Sequence, residues 1–145
     1  MRKALFAGSF DPFTIGHKSI VDRALSLFDQ VIVAFGVNVN KKTFMPLEER
    51  MARVREVYKD TERVKVVCYE GLTADFAREM NACCLVRGVR NAVDYEYEKT
   101  IAEVNQRLTG VETVLLIADA EKGYVSSSLV REFAQFGKAI DDLIV

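Results

Sequence analysis

The chain has 145 residues, half of them apolar, with 20 basic side chains against 21 acidic ones and a single histidine. That length suits one domain around one core, and the near-zero charge gives no general attraction to nucleic acid or to an anionic membrane. Three cysteines, two of them adjacent, make a poor disulfide framework; lying in apolar, strand-like runs they read as small hydrophobes, which fits a reducing cytoplasm.

Met1, Arg2 and Lys3 open the chain with positive charge, but Asp11 and Pro12 cut the next apolar run too short for a signal peptide. No run approaches the ~20 apolar residues of a membrane span. Residues 3–8 (KALFAG) suit a short buried strand. From Gly16 to Phe28, the apolar Ile20, Val21, Ala24, Leu25 and Phe28 recur at helical spacing and predict an amphipathic helix. Residues 30–36 (QVIVAFG) predict a second buried strand, followed by a polar loop with Asn38, Asn40, Lys41 and Lys42. PLEERMARVREVY then puts Pro46 near a helix start, with acids in the first turn. VKVVCY predicts a strand, LTADFAREMNA a helix and CCLVRG a strand. Residues 92–108 predict a long helix, TVLLIAD a strand, and SSSLVREFAQFG a helix ending at Gly137.

Five strands alternating with helices of crossover length predict an α/β fold. It is a single Rossmann-like domain over residues 1–145, a five-stranded parallel sheet with helices on both faces. Ligands of such sheets bind beyond the carboxyl ends of the strands, where the chain order reverses. Segments 8–17, 36–46, 70–74, 87–98 and 118–128 belong to that edge.

The first, GSFDPFTIGHKS, is neither a Walker loop nor G-x-G-x-x-G. It is a glycine-bordered turn opening a helix, whose free N–H groups favour an anion, with His17 in the first helical turn. His17 reads either as a donor to a phosphate oxygen or as a solvent-facing side chain. Lys41 and Lys42 read as phosphate ligands or as solvated charge. After strand four, Arg87 closes an otherwise apolar run, a costly place for a charge without a partner. Arg90, Asp94 and Glu98 follow at four-residue spacing, which suits a surface ion-pair ladder but leaves Arg87 unexplained. Ser126, Ser127 and Ser128 precede an apolar helical run; one hydroxyl suffices as an N-cap, and a cluster with Arg131 nearby also suits a phosphate cradle. His17, Lys41, Lys42, Arg87, Arg90 and the serines come from four strand ends that the fold brings to one rim. That collection suits a polyanion such as a nucleotide. There is no Ser-His-Asp set, metal-ligand cluster or general-base dyad in the pattern, so positioning and charge stabilisation would carry the chemistry.

GSFDPFTIGHKSIV, NKKTFMPLEER, LVRGVRNAVDYEYE and YVSSSLVRE together resemble the bacterial phosphopantetheine adenylyltransferase family, from residue 3 to about 143. Thr14–His17 is that family's T-x-G-H form of the H-x-G-H nucleotidyltransferase signature. The resemblance implies transfer of the adenylyl group of ATP to 4′-phosphopantetheine, giving dephospho-coenzyme A and pyrophosphate. It implies that Ser9 and Phe10 touch the nucleotide, with Ser9 also on the acceptor phosphate, and that His17 binds ATP and steadies the transition state. Lys41 and Arg87 would hold the acceptor phosphate and Thr73 the pantetheine arm. Gly88, Val89, Arg90 and Glu98 would line the ATP site, and the loop of Lys122, Gly123, Tyr124, Val125, Ser126, Ser127 and Ser128 would wrap it. The resemblance further implies Mg2+ arriving with ATP, feedback binding of coenzyme A, and a homohexamer in the cytoplasm. Ser9 stands where many relatives have threonine, Lys122 and Gly123 replace bulkier residues, and relatives often continue past Val145 into another short helix. A nucleotidyltransferase with a different phosphate acceptor is one alternative, disfavoured by Thr14. A non-catalytic nucleotide-binding regulatory domain is another, disfavoured by His17, Lys41, Arg87 and Arg90 together.

Overall fold

The computed structural model describes residues 1–145. Strands β1 (Lys3–Gly8), β2 (Gln30–Gly36), β3 (Val64–Tyr69), β4 (Cys84–Val89) and β5 (Glu112–Ile117) alternate with helices α1 (Ile15–Ala24), α2 (Leu47–Val57), α3 (Thr73–Glu79), α4 (Ala92–Thr109) and α5 (Ser127–Gln135). All strand pairs are parallel, in the order β3-β2-β1-β4-β5. No helix is long and apolar enough to cross a membrane.

The two-residue period of a strand assigns side chains to opposite faces. Ala4 and Phe6 of β1, Val31, Val33 and Phe35 of β2 and Val86 of β4 share one core with Ile20, Val21 and Ala24 of α1 and Met51 and Val54 of α2. Leu5, Ala7, Ile32, Ala34 and Leu85 point the other way and pack with Ala74 and Ala77 of α3. Central β1 and β2 are therefore closed on both faces, whereas edge strands β3 and β5 are only partly covered. Position in the sheet also corrects the reading of the cysteines. Cys84 is buried, but Cys68 on edge strand β3 and Cys83, just before β4, are exposed.

Helix ends follow local chemistry. α1 stops at Ala24 rather than reaching Phe28, because Arg63 from beside β3 takes up the Leu25 and Phe28 carbonyls that another turn would have used. α3 also ends early. Asn81 adopts a left-handed φ of 57°, and the Asn81 and Ala82 N–H groups turn back to the Arg78 and Ala77 carbonyls. The same arrangement closes α5, with Gly137 at φ 75° and bonds from Gly137 and Lys138 back to Ala134 and Phe133.

The sheet opens where the chain order reverses. β1 and β4 pair only at Ala4–Cys84 and Leu5–Leu85, while β1 and β2 stay paired from Lys3 to Gly8. Past Leu5 the strands part, and the Arg87 guanidinium takes the Ala7 carbonyl instead, its Nη1 donating at 2.5 Å. The crevice expected at a topological switch point thus lies between the ends of β1 and β4.

Candidate active site

Two clefts meet at this opening. The larger, of about 310 Å³, lies between the start of α1, the end of β4 and the start of α5. The smaller, of about 260 Å³, runs under α4, floored by Leu5, Leu85 and Thr113 and walled by Tyr97, Ile101 and Asn105. Ala7, Gly8, Arg87 and Glu98 border both.

His17 stands at the third position of α1 and completes its N-cap. Thr14, fully buried, accepts the His17 N–H on its hydroxyl at 3.2 Å, and the Thr14 N–H donates to His17 Nδ1 at 3.0 Å. This is a capping box with imidazole in the place usually taken by Glu or Gln. A backbone N–H can only donate, so Nδ1 is unprotonated and the neutral ring carries its hydrogen on Nε2. Phe10, Phe13 and Phe6 surround the ring, with centroids 4.9, 5.4 and 6.1 Å away. Burial, then the charges of Arg87 and Arg90, push the His17 pKa down from 6.5 to about 3.

His17 is therefore a neutral hydrogen-bond donor at physiological pH. A histidine whose pKa is lowered by folding contributes stability that is fully present above about pH 6.5 and is lost as pH falls towards 3. The urea midpoint of the wild-type chain is expected to fall between pH 6.5 and pH 4 more steeply than that of His17→Asn, which lacks this titration. Parallel slopes would contradict a half-buried His17 held neutral.

Phe10 holds a left-handed φ of 46°, rare for a non-glycine residue, and its ring is only 3% exposed. Arg87 is fixed from within. Its Nε and Nη2 donate to Glu98 Oε2 and Oε1 at 2.9 and 2.8 Å, while Nη1 holds Ala7. A guanidinium has five N–H groups, so one on each terminal nitrogen remains for a ligand. Gly88 lets α1 come close, since a Cβ there would meet Ile20 at 3.1 Å.

The ladder read from the sequence divides. Arg90 pairs with Asp94 at 2.8 Å beside the cleft, which raises the arginine pKa and lowers that of the carboxylate. Glu98, the helix's only buried residue, turns inward to Arg87. The serines divide as well. Ser126 is the N-cap, accepting from the Leu129 N–H; Ser127 donates to the Pro12 carbonyl; Ser128 accepts from Arg131.

Ser9, Phe10, His17, Arg87, Gly88, Arg90, Glu98, Lys122, Gly123, Val125 and Ser126–Ser128 all border the larger cleft, and Thr73 borders the smaller one. Five of the candidates lie outside both linings. Lys41 and Lys42 are on an exposed loop, Val89 is buried in the sheet, Tyr124 is 62% exposed, and Arg131 is turned to Ser128 and the Asp11 carbonyl. Reading the sequence missed the walls of the smaller cleft, where Tyr97, Ile101 and Asn105 are ordinary members of a helical pattern. It also missed Thr113, whose hydroxyl is buried on the cleft floor without a partner.

The cytidylyltransferase-like family model matches residues 5–133. The phosphopantetheine adenylyltransferase of Bacteroides thetaiotaomicron is 49% identical over 99% of this chain and 95% of its own length. That of Phocaeicola vulgatus is 50% identical over 97% and 93%. Among solved structures, a bifunctional NMN adenylyltransferase/ADP ribose pyrophosphatase from Francisella tularensis superposes with a TM-score of 0.72 at 14% identity, over 99% of this chain and 44% of that one. NadR protein in complex with NAD and AMP-PNP gives 0.60 at 22% identity, over 93% and 43%. These two likenesses bear on the fold. At half identity along nearly its whole length, the chain belongs to the cytidylyltransferase-like family and, within it, to the phosphopantetheine adenylyltransferases.

Proposed function

We propose that the chain transfers the adenylyl group of ATP to 4′-phosphopantetheine, releasing pyrophosphate and forming dephospho-coenzyme A. The observation that carries this reading is the meeting of two unlike clefts at one arginine, with a neutral histidine on the nucleotide side. The larger cleft, bordered by His17, Arg90 and the start of α5, suits the triphosphate. The smaller cleft suits the pantetheine arm, and a ligand amide would satisfy the orphan Thr113 hydroxyl on its otherwise apolar floor.

An oxygen of the acceptor phosphate attacks the α-phosphorus of ATP. A new P–O bond forms as the bond to the bridging oxygen breaks in line, and its electron pair leaves with pyrophosphate. A phosphate monoester is already ionised near pH 7, so the attacking group needs no general base. This agrees with a histidine held neutral. His17 Nε2–H donates to the α-phosphate oxygens as charge builds there. The two free Arg87 N–H groups hold the acceptor phosphate, and Lys41 reaches it from its loop.

Magnesium belongs to this reading as part of the nucleotide substrate. No group of three or more imidazole, thiol or carboxylate side chains is gathered on the chain to hold a metal, and Mg2+ is commonly bound through substrate phosphates and water. Coenzyme A, which contains the product, would fill the same two clefts. A homo-oligomer, a hexamer on the family resemblance, is supported by the stripe Val93, Tyr97, Ile101, Val104 and Leu108 along α4, between 38% and 79% exposed. A reducing cytoplasm suits the exposed thiols of Cys68 and Cys83.

Pyrophosphate release from ATP, measured with 4′-phosphopantetheine, nicotinate mononucleotide or glycerol 3-phosphate as acceptor, tests the proposal. Turnover is expected with phosphopantetheine alone. Faster turnover with either competitor would reassign the acceptor.

A further inference from the structure

The turn between β1 and α1 is gripped by charged side chains that the chemistry above does not use. Asp11 is 7% exposed and Arg50, in the first turn of α2, is 4% exposed, which is unusual for either residue. Asp11 Oδ2 accepts the Phe44 N–H at 2.7 Å, and Oδ1 accepts the Met45 N–H at 2.8 Å. Arg50 Nε donates to the Met45 carbonyl at 2.9 Å and lies 3.8 Å from Asp11 Oδ1. Its Nη1 donates to the Ser9 carbonyl at 2.5 Å. From the other side, Arg131 Nη1 holds the Asp11 carbonyl at 2.7 Å.

A buried ion pair is a poor source of stability, since apolar groups of similar volume often serve as well. What such a pair can supply is geometry. Every hydrogen bond that Asp11 and Arg50 make through their side chains runs to backbone in one of two segments, Ser9 or Phe44–Met45. The first segment leads into His17. The second follows Lys41 by three residues, so the lysine backbone stays within about 11 Å of a fixed point. With that anchor in place the base of the loop is fixed beside the turn, while Lys41 itself is exposed and borders neither cleft.

We infer that the buried Asp11–Arg50 pair is a positioning device that clamps the Lys41 loop to the Ser9–His17 turn, fixing the separation of acceptor phosphate and nucleotide. The inference rests on the adenylyl-transfer reading. Asp11 and Arg50 are positioning residues that act through Lys41.

The test is a double-variant cycle of Asp11→Asn and Lys41→Ala, assayed with ATP and 4′-phosphopantetheine alongside thermal melting. Asparagine keeps the side-chain size but loses one of the two acceptors and the charge beside Arg50. Asp11→Asn is expected to raise KM for 4′-phosphopantetheine about tenfold and KM for ATP less than about twofold, and to add nothing once Lys41 is alanine. A merely structural role would be additive with Lys41→Ala and would leave both KM values unchanged in the folded fraction. Arg50→Lys is expected to give the same pattern, and it decides the matter if Asp11→Asn does not fold. Additivity, or an equal rise in both KM values, overturns the inference while wild-type activity stands. A wild-type chain that releases no pyrophosphate from these two substrates overturns the adenylyl-transfer reading, and this inference with it.

Discussion

His17→Ala is expected to lower kcat by about 100- to 1,000-fold while KM for either substrate changes less than about threefold. The asymmetry follows from where the donor sits. Thr14 fixes the ring through Nδ1, and three phenylalanines confine it, so the Nε2 hydrogen is aimed before substrate arrives. A donor preset in this way costs no reorganisation as charge develops on the α-phosphate, so its loss falls on the transition state. Because burial and the charges of Arg87 and Arg90 hold the imidazole pKa down to about 3 in the free chain, kcat/KM of the wild type should show no limb from His17 between pH 6 and pH 8. Steady-state kinetics across that range check both statements. Near-normal turnover by His17→Ala, or a histidine limb near pH 6.5, would remove His17 from the role assigned here.

Arg87→Met is expected to do two separable things. It removes the charge-assisted donors to the acceptor phosphate, which at about 1.5–3 kcal/mol each weakens phosphopantetheine binding at least about tenfold. It also strands Glu98, whose side chain is 8% exposed against 35% for Arg87. Breaking a fully buried pair costs about 3–5 kcal/mol, and the partial exposure of Arg87 brings the expected loss to about 2 kcal/mol. The second variant in the comparison is Arg87→Met with Glu98→Leu. It should recover most of the melting temperature and none of the phosphopantetheine affinity, as read by calorimetry and isothermal titration. Recovery of affinity in the double variant would show that Arg87 serves the fold alone.

The fold was legible because its determinants are local. Short runs rich in β-branched and aromatic residues define β2 from Gln30 to Gly36 and β3 from Val64 to Tyr69, as their residues predict. Helix C-termini were harder. Whether α1 runs on to Phe28 depends on Arg63, which lies 35 residues further along the chain. The candidate site was legible as a set of segments, because strand ends of a parallel sheet must share one edge. Its partners were legible only in part. Arg90 and Asp94 pair at ladder spacing beside the larger cleft, whereas the rotation of α4 against the sheet turns Glu98 inward to Arg87.

By itself, then, the sequence determined the parallel α/β domain, its ligand edge and the family, since periodicity and short motifs are written in consecutive residues. Tertiary structure decided which distant groups meet. Arg87 finds Ala7 across 80 residues, because β1 and β4 part after two residue pairs and leave a carbonyl that a side chain satisfies, and Asp11 finds the Phe44 N–H across 33, where the segment before α2 passes the turn. Local pattern does not encode such long-range pairing. It is settled when strands and helices pack, and with it the tautomer of His17, the two free hydrogens of Arg87 and the anchoring of Lys41.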